Sequence, residues 1–173
     1  MLSSPFRFCP YCGHELVWKQ PNGDHRPRQV CRACDRILYR NPKPCAGAFI
    51  VRDGRLLLLR RSIEPYAGWW DLPGGFMEID ETPEETVLRE VREETGLEVR
   101  LTGLLGLYLD SYGPEDVTLN IYFLAEPVAG EPRPLSEASE VRWFAPDELP
   151  QNVAFPSHSR HALADWAGQI QRL

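Results

Sequence analysis

Three glutamates, Glu90, Glu93 and Glu94, stand at i, i+3 and i+4 in a stretch that reads GFMEIDETPEETVLREVREETGL from Gly75 to Leu97. On a helix this spacing gathers three carboxylates on one side within about a turn. Like charges so placed cost a helix about 0.2–0.5 kcal/mol per pair, so the cluster is either spread in solvent or occupied by a cation. From Glu78 to Glu94 eight acidic residues meet two basic ones, Arg89 and Arg92, a local balance of −6 that equals the formal charge of the whole chain. Carboxylate oxygens are hard donors suited to Mg²⁺ or Mn²⁺. A second set is soft. Cys9, Cys12, Cys31 and Cys34 form C-x2-C-x18-C-x2-C, in which each C-x-x-C pair can place two thiolates on one Zn²⁺. Two pairs close a tetrahedral site with no open position, hence a structural one. A redox pair or unpaired buried thiols are the competing readings.

The acidic stretch carries its own helix signals. Thr82 is an N-cap, Pro83 the first helical residue and Glu85 the partner in a T-x-x-E capping box, while Gly96 supplies the stop. Val87, Leu88 and Val91 recur at helical spacing and are expected to face a core. Upstream, 45–52 and 55–60 read as strands around an Asp53-Gly54 hairpin turn, and the LLLL run suggests burial on both faces. Arg60, Arg61, Tyr66, Trp69 and Trp70 then lead through Leu72-Pro73 and a Gly74-Gly75 turn, bringing cationic and aromatic groups towards the helix. Packing alone accounts for at least one of the tryptophans. Downstream, 101–108 and 117–125 read as strands joined by a loop, DSYGPED, with the acids Asp110, Glu115 and Asp116. Residues 127–139 read as a connection and 141–144 as a short strand. The end is helical, with Leu163, Trp166, Ile170 and Leu173 as a buried stripe. Strands mixed with two principal helices imply an α/β sandwich in which helices cover both faces of a mixed sheet.

At 173 residues and 43% hydrophobic content the chain can hold one medium domain and a small appendage. No stretch approaches the ~20 apolar residues of a membrane span, and no leader-like apolar run precedes the first cysteine, so a cytoplasmic protein with no membrane partner is expected. Charge marks a boundary: residues 1–44 carry eight Lys/Arg and three acids, a balance of +5, against −11 for residues 45–173. The expected domains are thus 1–44, a zinc ribbon, and 45–173. Zinc held by four thiolates is itself formally −2, which lowers the ribbon's surplus to about +3, and nucleic acid is not an expected partner. His14 is expected at the surface and Cys45 as a small buried residue.

The stretch from Gly75 satisfies the pattern G-x5-E-x7-R-E-U-x-E-E-x-G-U, with U apolar, at every position. In this it resembles the Nudix hydrolases, which hydrolyse nucleoside diphosphates linked to another group. Ribbon and box together resemble zinc-ribbon Nudix hydrolases over most of the chain, a set that includes NADH pyrophosphatases and relatives acting on ADP-ribose or FAD. The resemblance implies a Nudix α/β/α sandwich with a mixed sheet, and a catalytic Mg²⁺ or Mn²⁺ at Glu90, Glu93 and Glu94 with Glu81 as a further ligand. It also implies that Arg89 holds a box glutamate by an ion pair. The base is either Glu93, which is favoured, or a distal acid, for which Glu115, Asp116, Glu137 and Glu140 are candidates. Arg60, Arg61, Tyr66, Trp69, Gly74 and Gly75 are the candidate substrate-binding residues. NADH pyrophosphatases carry S-Q-P-W-P-F-P-x-S downstream of the box where this chain has LYLDSYGPEDVTLN, so ADP-ribose or FAD is expected ahead of NADH, with AMP and phosphorylated X as products. A housecleaning triphosphate hydrolase is the enzymatic alternative, and a non-catalytic nucleotide-sensing or nucleic-acid-binding module the alternative of another class. The expected partner is a small nucleotide, and a homodimer is left open.

Overall fold

A computed structural model of the protein describes residues 6–111 and 117–170. Its elements are β1 (Leu16–Lys19), β2 (Arg28–Cys31), β3 (Ile37–Leu38), β4 (Lys43–Arg52), β5 (Arg55–Arg61), β6 (Trp70–Asp71), β7 (Gly74–Phe76), α1 (Pro83–Thr95), β8 (Glu98–Ser111), β9 (Val117–Ala129), β10 (Ala138–Phe144) and α2 (Pro156–Ile170). Strands β1 to β3 form a small antiparallel sheet around the cysteines. The larger sheet runs β10-β5-β4-β9-β8, with β6 added to β5 and β7 to β4. It is mixed, because β4 and β9 pair in parallel whereas the other pairs are antiparallel.

Local chemistry accounts for the main elements. Asp53 and Gly54 turn the β4–β5 hairpin at φ 52° and 72°, the doubly positive geometry an Asp-Gly turn favours. On α1, Glu85 N–H donates to the Thr82 hydroxyl at 3.2 Å and Thr82 N–H to the Glu85 carboxylate at 2.8 Å. Gly96 ends the helix at φ 70°.

Alternation along the strands then sorts side chains to two cores. Ala46, Ala48, Ile50, Leu57, Phe123 and Ala125 pack with Val87 and Val91 of α1. Phe49, Leu56, Leu58 and Tyr122 pack with Ala162, Leu163 and Trp166 of α2. The helices therefore cover opposite faces, and Leu56 to Leu59 are buried on both. The result is the expected α/β/α sandwich.

Several local expectations change. Leu88 is 40% exposed, because Val87 and Val91 already take the inward side of α1 and the next position turns away by about 100°. Strands β8 and β9 run longer than their apolar patterns indicate. Pro127 accordingly lies in β9, opposite Val99, and Asp110 lies in β8, opposite Thr118. Trp70 belongs to the core, 4.8 Å from Phe144 between ring centroids. Glu115, Asp116 and Leu173 lie outside the described residues, and Ile170 closes α2.

Candidate active site

Strand β7 lies antiparallel to the first half of β4, with Gly75 opposite Ala46 and Gly74 opposite Gly47. A Cβ on Gly75 would stand 2.6 Å from Cδ of Glu90, and one on Gly74 the same distance from the Ala46 carbonyl oxygen. The missing side chains let the backbone reach the acidic face of α1, where Gly74 N–H donates to Glu94 at 2.9 Å.

Arg89 ties the rest of that face together. Its Nε and Nη2 donate to Glu81 at 2.6 and 2.9 Å, its Nη1 to Glu90 at 2.7 Å and, more loosely, to Glu93 at 3.4 Å, and its Nη2 to the Phe76 carbonyl at 3.1 Å. The Arg89 guanidinium holds the Glu81 carboxyl at about 2. Glu94 shows the opposite shift: burial pushes it to about 8, against the Gly74 N–H and with the help of the Glu90 charge. Burial also raises Glu90, opposed by Arg89.

Glu90, Glu93 and Glu94, with Gly74 and Gly75, form one wall of a cleft of about 540 Å³, a volume within the usual range for small-molecule sites. Among the described residues six carboxylates line it, from Asp71, Glu78, Glu90, Glu93, Glu94 and Glu137, against a single guanidinium, Arg61. Arg61 is balanced on Asp71 at 3.2 Å and lies over the Phe155 ring.

The NUDIX domain profile matches residues 41–166, and the Nudix N-terminal zinc-ribbon profile matches residues 7–40. The chain is a Nudix hydrolase. A Nudix hydrolase structure from Nitrosomonas europaea superposes with a TM-score of 0.77 at 34% identity, covering 92% of this chain and 89% of that one. An ADP-ribose pyrophosphatase of Methanocaldococcus jannaschii is 36% identical over 115 residues, 66% of this chain and 68% of that protein. The NAD-capped RNA hydrolase NudC of Vibrio vulnificus is 33% identical over 150 residues, 86% of this chain. The chain spans 54% of that relative's length.

Within this Nudix domain the structure brings Glu90, Glu93, Glu94, Gly74, Gly75, Arg61 and Glu137 to the cleft. Glu81 and Arg89 flank a shallower depression beside it, together with Glu93. The remaining predicted groups are directed elsewhere. Arg60 follows the opposite side of β5 from Arg61, as successive strand residues must, and reaches Glu140 at 3.6 Å and the Gly68 carbonyl at 2.9 Å. That contact also draws Glu140 away. Tyr66 packs against Phe155 and Trp69 at centroid distances of 4.9 and 5.4 Å, and neither Tyr66 nor Trp69 lines the cleft.

The opposite wall and the network behind it contain residues the sequence did not single out as site candidates. Asp110, buried at the end of β8, accepts from Ser157 O–H, from Ser111 N–H at 2.7 Å and from His158 Nδ1 at 2.9 Å. Burial pushes the Asp110 carboxyl up, but these contacts outweigh it and hold the group below the usual carboxylate range. His158 Nε2 in turn lies 3.0 Å from the Tyr122 hydroxyl. Tyr122, Asn120 and His158 all line the cleft. His158 lies 36 positions from Tyr122 and 48 from Asp110 in sequence, separations that follow no helix or strand period, so only the fold could have assembled them.

The cysteines fit zinc. Their ligand atoms lie within 4.8 Å of one another, with Sγ–Sγ distances of 3.4, 3.5 and 3.8 Å, close to the roughly 3.8 Å edge of a tetrahedron with Zn–S near 2.3 Å. Among the described residues no other group of three or more His, Cys, Asp or Glu ligand atoms is drawn together so closely. The box glutamates are more open, since Arg89 is shared between Glu90 and Glu93. Their hard oxygens and crowded negative charge, with the Glu90 and Glu94 carboxyls pushed up, fit a divalent cation.

Proposed function

We propose that this Nudix enzyme hydrolyses the diphosphate of an ADP-X compound, with ADP-ribose or FAD ahead of NADH, giving AMP and phosphorylated X. The observation that carries the proposal is the six-carboxylate cleft built on Gly74-Gly75 and the box helix. A diphosphate cannot approach such a wall unless cations neutralise both partners. Mg²⁺ or Mn²⁺ held by Glu90, Glu93 and Glu94 would supply that charge and lower the pKa of bound water.

The chain's own groups divide the remaining work. Glu94 is fixed by Gly74 N–H and Glu90 by Arg89, whereas Glu93 is half exposed and only loosely held. Glu93 is therefore the group free to take the proton of an attacking water, as a general base must. Glu137, whose charge acts on both Glu90 and Glu94, is the alternative base. Glu81 acts through Arg89, because its oxygens are already engaged by that guanidinium and by the Thr86 hydroxyl. Arg61 orients a phosphate oxygen, and the half-exposed Phe76 offers a ring to a base.

In the ribbon, residues 1–44, zinc on Cys9, Cys12, Cys31 and Cys34 is structural. No helix among the described residues is long and apolar enough to cross a membrane, and we assign the enzyme to the cytoplasm, where such thiols stay reduced.

The substrate class draws support from the Methanocaldococcus relative and from the region after the box, which lacks the NADH pyrophosphatase motif. A second reading, NADH or an NAD-capped RNA end, is favoured by the Vibrio relative, whose 150 aligned residues exceed the Nudix domain alone. Turnover against ADP-ribose, FAD, NADH, dinucleoside polyphosphates and triphosphates with Mg²⁺ or Mn²⁺ separates these readings. A kcat/KM for NADH or a triphosphate at least about tenfold above both ADP-ribose and FAD would overturn the first.

A further inference from the structure

The cysteine cluster is bordered by exposed rings and cations. Tyr11, inside the first C-x-x-C turn, is 65% exposed, and Phe8, next to Cys9, is 53% exposed. The Arg36 guanidinium lies 4.2 Å above the Tyr11 ring, and that of Arg7 lies 5.4 Å above Phe8. Backbone hydrogen bonds tie the turns that carry them. Cys9 N–H donates to the His14 carbonyl at 2.7 Å and Cys31 N–H to the Arg36 carbonyl at 2.9 Å. The Cys34 sulfur lies 3.8 Å from that of Cys9 and 3.5 Å from that of Cys12, which brings the two turns together.

The charge around them is selective. The ribbon's three acids each meet a cation, Asp24 on Arg28, Asp35 on Lys19 and Glu15 on Arg32. Among the described residues Arg7 and Arg36 meet no carboxylate. Residues 45–173 carry −11 and repel a polyanion, so an extended one is steered to the ribbon. Exposed rings beside arginines that meet no carboxylate are what a single strand needs: the open ring faces for unstacked bases and guanidinium groups for phosphates. Net charge alone, offset by the thiolates, does not show this arrangement.

We infer that the cysteine-cluster end of the ribbon, with Phe8 and Tyr11 as stacking rings and Arg7 and Arg36 as phosphate partners, binds single-stranded RNA. The choice of RNA over DNA rests on the reading of the cleft as one for ribonucleoside diphosphates.

Fluorescence anisotropy with a labelled, uncapped RNA oligonucleotide, DNA of the same sequence and an RNA duplex tests this on the full chain, without turnover. Single-stranded RNA should bind best and weaken with salt, with a log–log slope of about −1.4 for two phosphates. Tyr11→Ala and Arg36→Glu should each weaken binding about fivefold or more, and Tyr11→Phe should retain it. All three variants should keep parental zinc content and ADP-ribose turnover. Unchanged RNA affinity in Tyr11→Ala and Arg36→Glu, or no binding at low salt, would overturn the proposal. Equal affinity for DNA would overturn the choice of RNA. Tyr11-dependent self-association without RNA binding would assign the surface to a second copy of the chain. RNA binding without ADP-ribose turnover would uphold this surface and remove the reading of the cleft.

Discussion

Glu94 and Glu93 are neighbours in sequence, yet the fold gives them different environments. Glu94 is buried against Gly74 N–H while Glu93 faces the cleft opening. Replacing Glu93 by Gln removes the proposed base and one charged ligand, so kcat should fall by about 10²–10⁴ with a far smaller change in Tm. Steady-state kinetics beside a thermal melt checks this, and near-parental rates would move the base to Glu137. Glu94 makes a prediction about pH. Its folded-state carboxyl lies near 8 against an ordinary 4.5, so the metal-free folded state binds the proton more tightly than the unfolded chain does. The corresponding stability is present below pH 4.5 and is lost as pH rises towards 8. Glu94→Gln deletes that dependence. Its Tm should exceed the parent's by a margin that widens from acid to pH 8 and narrows again when Mg²⁺ is added to the parent. A margin independent of pH would contradict the assignment.

At the level of elements, the site depends on β7 touching α1. Gly75→Ala would press a methyl against the Glu90 carboxylate, which can swing aside at the expense of its position over the cleft. The expected result is loss of most turnover with a Tm within a few degrees of the parent, and full activity would show that close contact to be dispensable. In the ribbon, Cys31→Ser removes a buried ligand and should release zinc, measured by elemental analysis, and lower the ribbon's resistance to proteolysis. Retention of one zinc per chain would contradict the four-thiolate site. Much of this was legible beforehand. The capping box, Gly96, the Asp53-Gly54 turn, the Leu56–Leu59 run and the cysteine pairs are local patterns, and local patterns survive into the fold. Arg60, Tyr66 and Trp69 were not legible, because which side of a strand or loop faces a cleft depends on partners distant in sequence. Asp110 and His158 were hidden for the same reason, since an acid that reads as part of a loop becomes the end of a long strand only once β9 pairs with it.

Across the whole molecule, the sandwich places an acidic wall and a polar wall on the two sides of one cleft. The wall bearing the box helix is rigid, because Val87 and Val91 anchor α1 in one core. Tyr122 extends from the other core, where it packs with Trp166, so the cleft is framed by elements from both faces of the sheet. The small basic ribbon stands apart in charge from this acidic body. Hydrolysis of an ADP-X diphosphate at this cleft is checked by reaction of ADP-ribose in ¹⁸O-labelled water with Mg²⁺, analysed by mass spectrometry. AMP and ribose 5-phosphate are the expected products, with one labelled oxygen in a phosphate group of one of them, and product should be lost almost completely on adding a chelator or in Glu93→Gln. Release of ADP with free ribose, or product formation indifferent to chelator and to Glu93→Gln, would contradict it.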